Sequence, residues 1–372
     1  MKINHWLRFL LLTVAFNSVA MAEDINQEMR KAGTALSDLI PYLYNDNRFR
    51  DPKNQEFITQ QLDQLIATIG AQPDILQRHA IVRQISQESL LSQLKQARYL
   101  FNTGNYATSQ YLLGSAPILC SSCHIQDGIV AKSAPKISRD LFANTFSYAE
   151  FNYYVRNYQV AEKSYLEYLK QRNVKSSRIS GGKTLERLLD ITLITDGDLS
   201  KSRDKLIEYR QIKNLDIDLQ QRIDLWLQGI KDLTVKTGDT RPIEARMQEE
   251  FGADFNLQHE FIFEEEKRPM ALVWRAQMQK EAMDATDKVT VARNLYLISI
   301  LERILGEQTE LSLSNLYLKE CVRLAVPDYS HRCLNEYESH LMFYYGGSSG
   351  ENPPPEAVSE LRKLRKLLKK GS

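Results

Sequence analysis

The chain has 372 residues, 48 Lys+Arg against 47 Asp+Glu, 43% hydrophobic residues, and only 16 Gly and 11 Pro. So few helix breakers exclude a loop-rich or collagen-like chain, and 26% charged residues argue against an integral membrane protein, so roughly two or three helical domains are expected. A formal charge of +1 with no long basic block leaves no electrostatic footprint for nucleic acid, which needs clustered cations.

Lys2 and Arg8 flank an apolar run from Phe9 to Phe16, and Ala20-Met21-Ala22 then precedes Glu23. This order predicts a secretory signal at residues 1–22, cleaved after Ala22, with an apolar run too short to span a bilayer. The expected location is a bacterial periplasm, with no transmembrane segment and a formal charge of −1 once Lys2 and Arg8 are removed.

Next come four helical stripes. Ile25, Met29, Ala32, Leu36, Leu39 and Leu43 alternate at spacings of four and three, which places them on one inward face. Asp51-Pro52 reads as an N-cap and a first-turn proline, followed by Ile58, Leu62, Leu65 and Ile69 before Gly70. Leu90, Leu94, Ala97 and Phe101 form a third stripe that Gly104 stops, and a fourth helix runs from Asn105 toward Cys120. Short polar connections between such stripes predict antiparallel neighbours around one core that accepts a cofactor.

Cys120-Ser121-Ser122-Cys123-His124 is C-x-x-C-H, the attachment motif for c-type haem. Residues three apart on a helical turn share a face, so both thiols reach the vinyl groups on one porphyrin edge while His124 turns to the iron. A zinc site needs two more ligands at finger-like spacing, which Cys321 and Cys333 do not supply, and a redox dithiol needs a βαβ context. One covalently attached haem c is therefore expected. Export agrees with it, because bacteria attach this haem after translocation.

Four helices followed by this motif resemble the class II c-type cytochromes, the cytochrome c′ group, over roughly residues 25 to 125. The resemblance implies a four-helix haem bundle with thioether bonds at Cys120 and Cys123 and His124 as the proximal iron ligand. Some members of that group take the sixth ligand from a first-helix methionine, which corresponds here to Met29. His79 is the second candidate, being the one histidine between the cleavage site and the motif.

Ile125 to Asp140 reads as a polar connection, giving a haem domain at 23–137 and a second domain at 138–372. Ala97-x3-Phe101-x2-Gly104-x-Tyr106-x2-Ser109-x3-Leu113 recurs in register as Ala149-x3-Tyr153-x2-Arg156-x-Tyr158-x2-Ala161-x3-Tyr165, then partly as Gly197-x-Leu199-x2-Ser202-x3-Leu206. This small-residue and aromatic spacing resembles the tetratricopeptide repeat, which implies an array of helical hairpins that docks a protein partner. The fold class expected is all-α: a haem-binding bundle followed by that array. Lys175 to Gly182 reads as a Ser/Gly-rich loop, and Asp239 to Met283 has too weak a periodicity to assign.

Apolar helices return at Val291 to Leu305, Leu311 to Leu324 and Ser330 to Tyr345. Cys321 and Cys333, flanking the turn at Pro327-Asp328, are expected to form a structural disulfide in an exported protein. A last helix, Glu356 to Lys370, carries Arg362, Lys363, Arg365, Lys366, Lys369 and Lys370. It reads as the cap of a repeat array, or as a peripheral contact with anionic lipid or an acidic partner.

Two motifs are discounted. Ser177-x4-Gly182-Lys183-Thr184 lacks the first glycine of a phosphate loop, and Glu264-Glu265-Glu266 reads as a solvated acidic run. No catalytic constellation stands out, so an electron carrier or binding protein is expected ahead of an enzyme, with peroxide reduction as the trailing reading. The chain reads as a periplasmic monohaem electron carrier docking a redox partner through its repeats. The other reading is a haem-containing scaffold or gas and redox sensor.

Overall fold

The computed structural model describes residues 31–71, 81–114, 137–171, 178–196, 198–213, 215–236, 238–252, 264–305, 313–346, 353 and 355–371. Among these the regular structure is helical, without strands. The chain divides into two compact units, Met1–His79 with Ser86–Tyr148, and Ala80–Ile85 with Ala149–Ser372.

The first unit contains α1 (31–43), α2 (Asp46–Arg50), α3 (Gln55–Gly70), α4 (Ile81–Asn102, from Ser86 on) and α5 (106–114). Each apolar stripe of α3 and α4 is buried as its spacing predicts: Ile58, Leu62, Leu65 and Ile69, then Leu90, Leu94, Ala97 and Phe101. On α1 the buried residues are Ala32, Ala35, Leu39, Ile40 and Leu43, while Leu36 is only half-buried. The inward face of α1 therefore centres on the line through Ala35 and Leu39. Asp51 caps a short 3₁₀ turn, Pro52–Asn54, before α3 begins at Gln55.

Polar side chains tie these helices at their edges. Gln110 donates to the Leu43 carbonyl at 2.8 Å and to Asp46 at 2.9 Å, Gln93 donates to the Leu112 carbonyl at 2.6 Å, and Gln55 donates to the Tyr106 hydroxyl at 2.6 Å. The edge-on contacts of Phe101 with Phe49 and with Tyr106 fill the interior at centroid distances of 5.1 and 5.3 Å.

The second unit is built from α6 (Thr145–Tyr154, from Ala149 on), α7 (Tyr158–Gln171), α8 (Arg178–Asp196), α9 (Leu199–Arg210), α10 (Ile217–Lys236), α11 (Ile243–Phe251), α12 (Arg268–Asp284), α13 (Lys288–Leu305), α14 (Leu313–Arg323), α15 (Pro327–Tyr345) and α16 (Pro355–Gly371). Successive members pack in order: α8 against α7 and α9, α9 against α10, α10 against α12, and then α12 on α13, α13 on α14 and α14 on α15. One apolar core runs from Leu233 and Met247 through Trp274, Leu297 and Cys321 to Leu341, and α16 closes it with Ala357, Leu361, Leu364 and Leu368. Truncating one such leucine to alanine costs about 2–5 kcal/mol, so this core carries much of the unit's stability.

Two hairpins close alike. In the first, Gly104 has φ +80° and its N–H bonds the Phe101 carbonyl, while Asn105 N–H bonds that of Leu100. Arg156 repeats this at φ +59°, with Arg156 N–H to Tyr153 and Asn157 N–H to Asn152. These are Schellman bonds, which satisfy the last carbonyls of the incoming helix. Ala325 takes the same left-handed backbone, φ +54°, between α14 and α15.

Four residues past each turn residue that opens the outgoing helix stands a small, fully buried residue: Ser109, Ala161, Ser202 and Ser330. The serine hydroxyls donate back to the incoming helix, Ser109 to Ala97 at 2.8 Å, Ser202 to Thr192 at 3.3 Å and Ser330 to Cys321 at 2.7 Å. A larger side chain there would hold the two helices apart. The copy at Val322-x2-Ala325-x-Pro327-x2-Ser330-x3-Leu334 escaped the sequence reading, because alanine replaces the glycine and proline the aromatic.

Candidate functional site

Met29, His79, Cys120, Cys123 and His124 lie outside the described residues. Among the described residues, no group of three or more His, Cys, Asp and Glu side chains is arranged to hold a metal ion. The described helices nearest those candidates in the chain are α1, which begins two residues after Met29, α4, which begins two residues after His79, and α5, which ends at residue 114, six before Cys120.

The other two cysteines are placed. Cys321 on α14 and Cys333 on α15 are joined in a disulfide, with Cα atoms 6.1 Å apart and both side chains fully buried. Ser330 anchors the same turn, its hydroxyl accepting from Val326 N–H at 2.9 Å while donating to the Cys321 carbonyl.

Sequence reasoning missed a buried cluster of charged and phenolic side chains in the second unit. Glu150 on α6 is buried and accepts from the hydroxyls of Tyr165 and Tyr154, with Arg187 at 3.4 Å and Lys183 at 3.5 Å. Burial pushes the Glu150 carboxyl up, but Arg187, Lys183 and the two tyrosines outweigh it and hold it below its ordinary range. Arg187 also stacks over the Tyr153 ring, 4.4 Å from its centroid.

Asp190, one turn along α8 from Arg187, accepts from the Tyr153 hydroxyl and from Arg275 at 2.7 Å. Arg275 in turn lies 3.5 Å from Glu302 on α13. Burial raises the Glu302 carboxyl, Arg275 only partly offsets it, and the like charge of Asp190 adds to the rise. Burial, then the Asp190 charge, raises the Tyr153 phenol well above its usual value. The arrangement is a spine of alternating charges through α6, α8, α12 and α13, able to hold those helices in one register.

The signal for this spine was present. Asp190 stands seven residues before Gly197, at the register position that Ala97 and Ala149 hold in the other copies. A carboxylate in place of a small helix-contact residue marks a site where a distant cation arrives.

Two other sequence readings are corrected. The stretch Lys175 to Gly182 is not wholly a loop: α8 begins at Arg178, and Gly182 is buried where an added Cβ would lie 3.0 Å from the Arg222 guanidinium. Gly182-Lys183-Thr184 is thus mid-helix, with its amides committed to the helix rather than free to cradle phosphate. Nor is Glu264-Glu265-Glu266 simply a solvated run. Glu265 accepts from Trp226 Nε1 and Arg268 Nε, both at 3.0 Å, and pairs with Arg222 at 3.5 Å. In the unassigned stretch 239–283, α11 and most of α12 are helical, while Phe261-Ile262-Phe263 lie outside the described residues.

His340 on α15 is buried. Its Nδ1 lies 2.7 Å from Asn315 Oδ1, so the ring proton sits on Nδ1 and donates to the amide oxygen. Burial, reinforced by Arg303, lowers the imidazole to about 4, so it is neutral at physiological pH. No described helix is long and apolar enough to cross a membrane. No family model, curated protein or solved structure matches this chain.

Proposed function

We propose that the chain is an exported monohaem c-type electron carrier whose helical hairpin region, a degenerate tetratricopeptide-like array, docks a protein partner in the periplasm. The observation that carries this is Cys120-Ser121-Ser122-Cys123-His124, two thiols three residues apart and an adjoining imidazole. The donor set fits the group in a second respect. The chain has four cysteines, and because Cys321 and Cys333 are bonded to each other, Cys120 and Cys123 are left as a pair for two thioether bonds. A buried disulfide also persists most readily in an oxidising, exported compartment.

In this reading Cys120 and Cys123 hold the porphyrin and His124 ligates its iron. Met29 is the candidate sixth ligand, ahead of His79. A bound haem supplies one-electron exchange at its iron, and a thioether sixth ligand raises the potential. The role of the chain is to bind, to bury and to present. The matching left-handed closures at Gly104 and Arg156, and the small buried residues Ser109, Ala161, Ser202 and Ser330 at the helix contacts, support the repeat reading.

The test is expression with a c-type haem maturation system. The wild-type chain should retain haem on a denaturing gel and show a six-coordinate, low-spin spectrum, and Cys120→Ala/Cys123→Ala should lose covalent haem. Haem that stays attached in the double variant would refute the assignment. A five-coordinate wild-type spectrum that binds carbon monoxide would replace electron transfer with sensing, and Met29→Ala with unchanged spectra and midpoint potential would remove Met29 as ligand.

A further inference from the structure

We propose that the outward face of α16 docks on an anionic phospholipid surface through Arg362, Lys366 and Lys369. Helix α16 is two-sided. Ala357, Leu361, Leu364 and Leu368 are buried against α14 and α15, which accounts for its apolar side as the closing layer of the core. The opposite side has no such account.

Of the chain's 48 Lys and Arg residues, six fall between Arg362 and Lys370 with no acidic residue among them, although the whole chain is almost charge-balanced. Two of the six are engaged. Arg365 donates to Glu338 on α15, and Lys363 lies 3.9 Å from Glu360, which also accepts from Arg323 at 2.9 Å. Arg362, Lys366 and Lys369 are exposed and make no ion pair among the described residues.

Those three positions are spaced i, i+4 and i+7, so they form one straight stripe about 10 Å long on the helix surface. Leu367, 45% exposed, stands one turn past Lys363 and about 100° round the helix from Lys366, off the stripe. A single helix presents a convex ridge. Long cationic side chains on a ridge match a flat, laterally mobile array of anions. An acidic protein segment would instead need fixed acids at matching intervals. Each cation near an anionic bilayer strengthens binding by about fivefold, so three give on the order of a hundredfold. This inference stands independently of the haem reading.

The experiment is flotation of the purified full chain, as it is isolated, with vesicles of phosphatidylcholine alone or with a third phosphatidylglycerol. Binding is expected on the mixed vesicles only, at low salt, and should fade at about 0.5 M salt. Arg362→Gln/Lys366→Gln/Lys369→Gln should lower that affinity about a hundredfold with an unchanged circular dichroism melt. Lys201→Gln/Lys213→Gln/Lys231→Gln, which removes three exposed cations elsewhere, should leave it unchanged. Equal binding by the α16 variant and the wild type would overturn the proposal, as would binding to neutral vesicles or to none. Retention on immobilised polyglutamate that exceeds vesicle binding and is lost in the α16 variant would assign the face to an acidic protein instead, and so would also overturn it.

Discussion

Arg156 adopts at φ +59° the left-handed backbone that Gly104 adopts at φ +80°, and both close a helical hairpin with the same pair of backbone hydrogen bonds. A side chain at such a position costs about 1 kcal/mol relative to glycine, so the two sites respond oppositely to exchange. Gly104→Ala should lower stability by about 1 kcal/mol, whereas Arg156→Gly should be neutral or gain up to about 1 kcal/mol. Urea denaturation of both variants checks this, and equal losses at the two sites would contradict it.

Gly229 is required for another reason, close approach. A Cβ there would lie 1.8 Å from the carbonyl oxygen of Glu266, in the turn that α10 packs against. Because the obstacle is backbone, it cannot rotate away. Gly229→Ala should cost at least about 3 kcal/mol, while Gly33→Ala on the exposed face of α1, where nothing lies within 4 Å, should gain roughly 0.5–1 kcal/mol. Thermal melts of the two variants should move in opposite directions.

The Cys321–Cys333 disulfide closes a loop of 12 residues between α14 and α15. Constraining the unfolded chain over that length contributes roughly 3 kcal/mol. Cys321→Ala/Cys333→Ala should show a loss of that order by urea denaturation. Hydrogen exchange should rise first in α14 and α15, since the cross-link restrains those helices. Mass mapping of the unreduced protein should recover the two cysteines in one linked peptide.

His340 makes stability depend on acid. Its imidazole titrates near 6.5 when unfolded and near 4 when folded, so between those values the unfolded chain binds more protons. The contribution is complete above pH 6.5 and is lost as pH falls toward 4, amounting to no more than about 3 kcal/mol. His340→Gln, which retains an amide donor for Asn315, should flatten the stability profile across that window. Glu302 acts in the opposite sense, because its raised carboxyl favours the protonated folded form and loses stability as pH rises. Comparing wild type with His340→Gln by urea denaturation at several pH values isolates the histidine. An unchanged slope would show that His340 is not the buried base.

Helix positions and inward faces were largely legible because they depend on neighbours within a turn or two. The stripes Ile58 to Ile69 and Leu90 to Phe101 are buried as their spacing requires, and Gly104 ends its helix through a conformation that glycine adopts without strain. The same local reasoning failed at α8, where Gly181-Gly182 suggested a loop. There Gly182 serves contact: a guanidinium from α10 occupies the space a side chain would take.

By itself, the sequence determined the helical class and the inward faces of the first unit's helices, which are encoded at spacings of three and four residues, and it carries the C-x-x-C-H spacing on which the proposed haem rests. Tertiary structure alone decided which charges meet. Asp190 and Arg275 are 85 residues apart and pair at 2.7 Å, and Trp226 finds Glu265 across 39 residues. Folding α8 against α12 and α10 against the 265–267 turn brings these groups together in a low-dielectric interior, where an unpaired charge would be prohibitively costly. The same packing separated the two sides of α16, burying its leucines and leaving Arg362, Lys366 and Lys369 exposed to solvent.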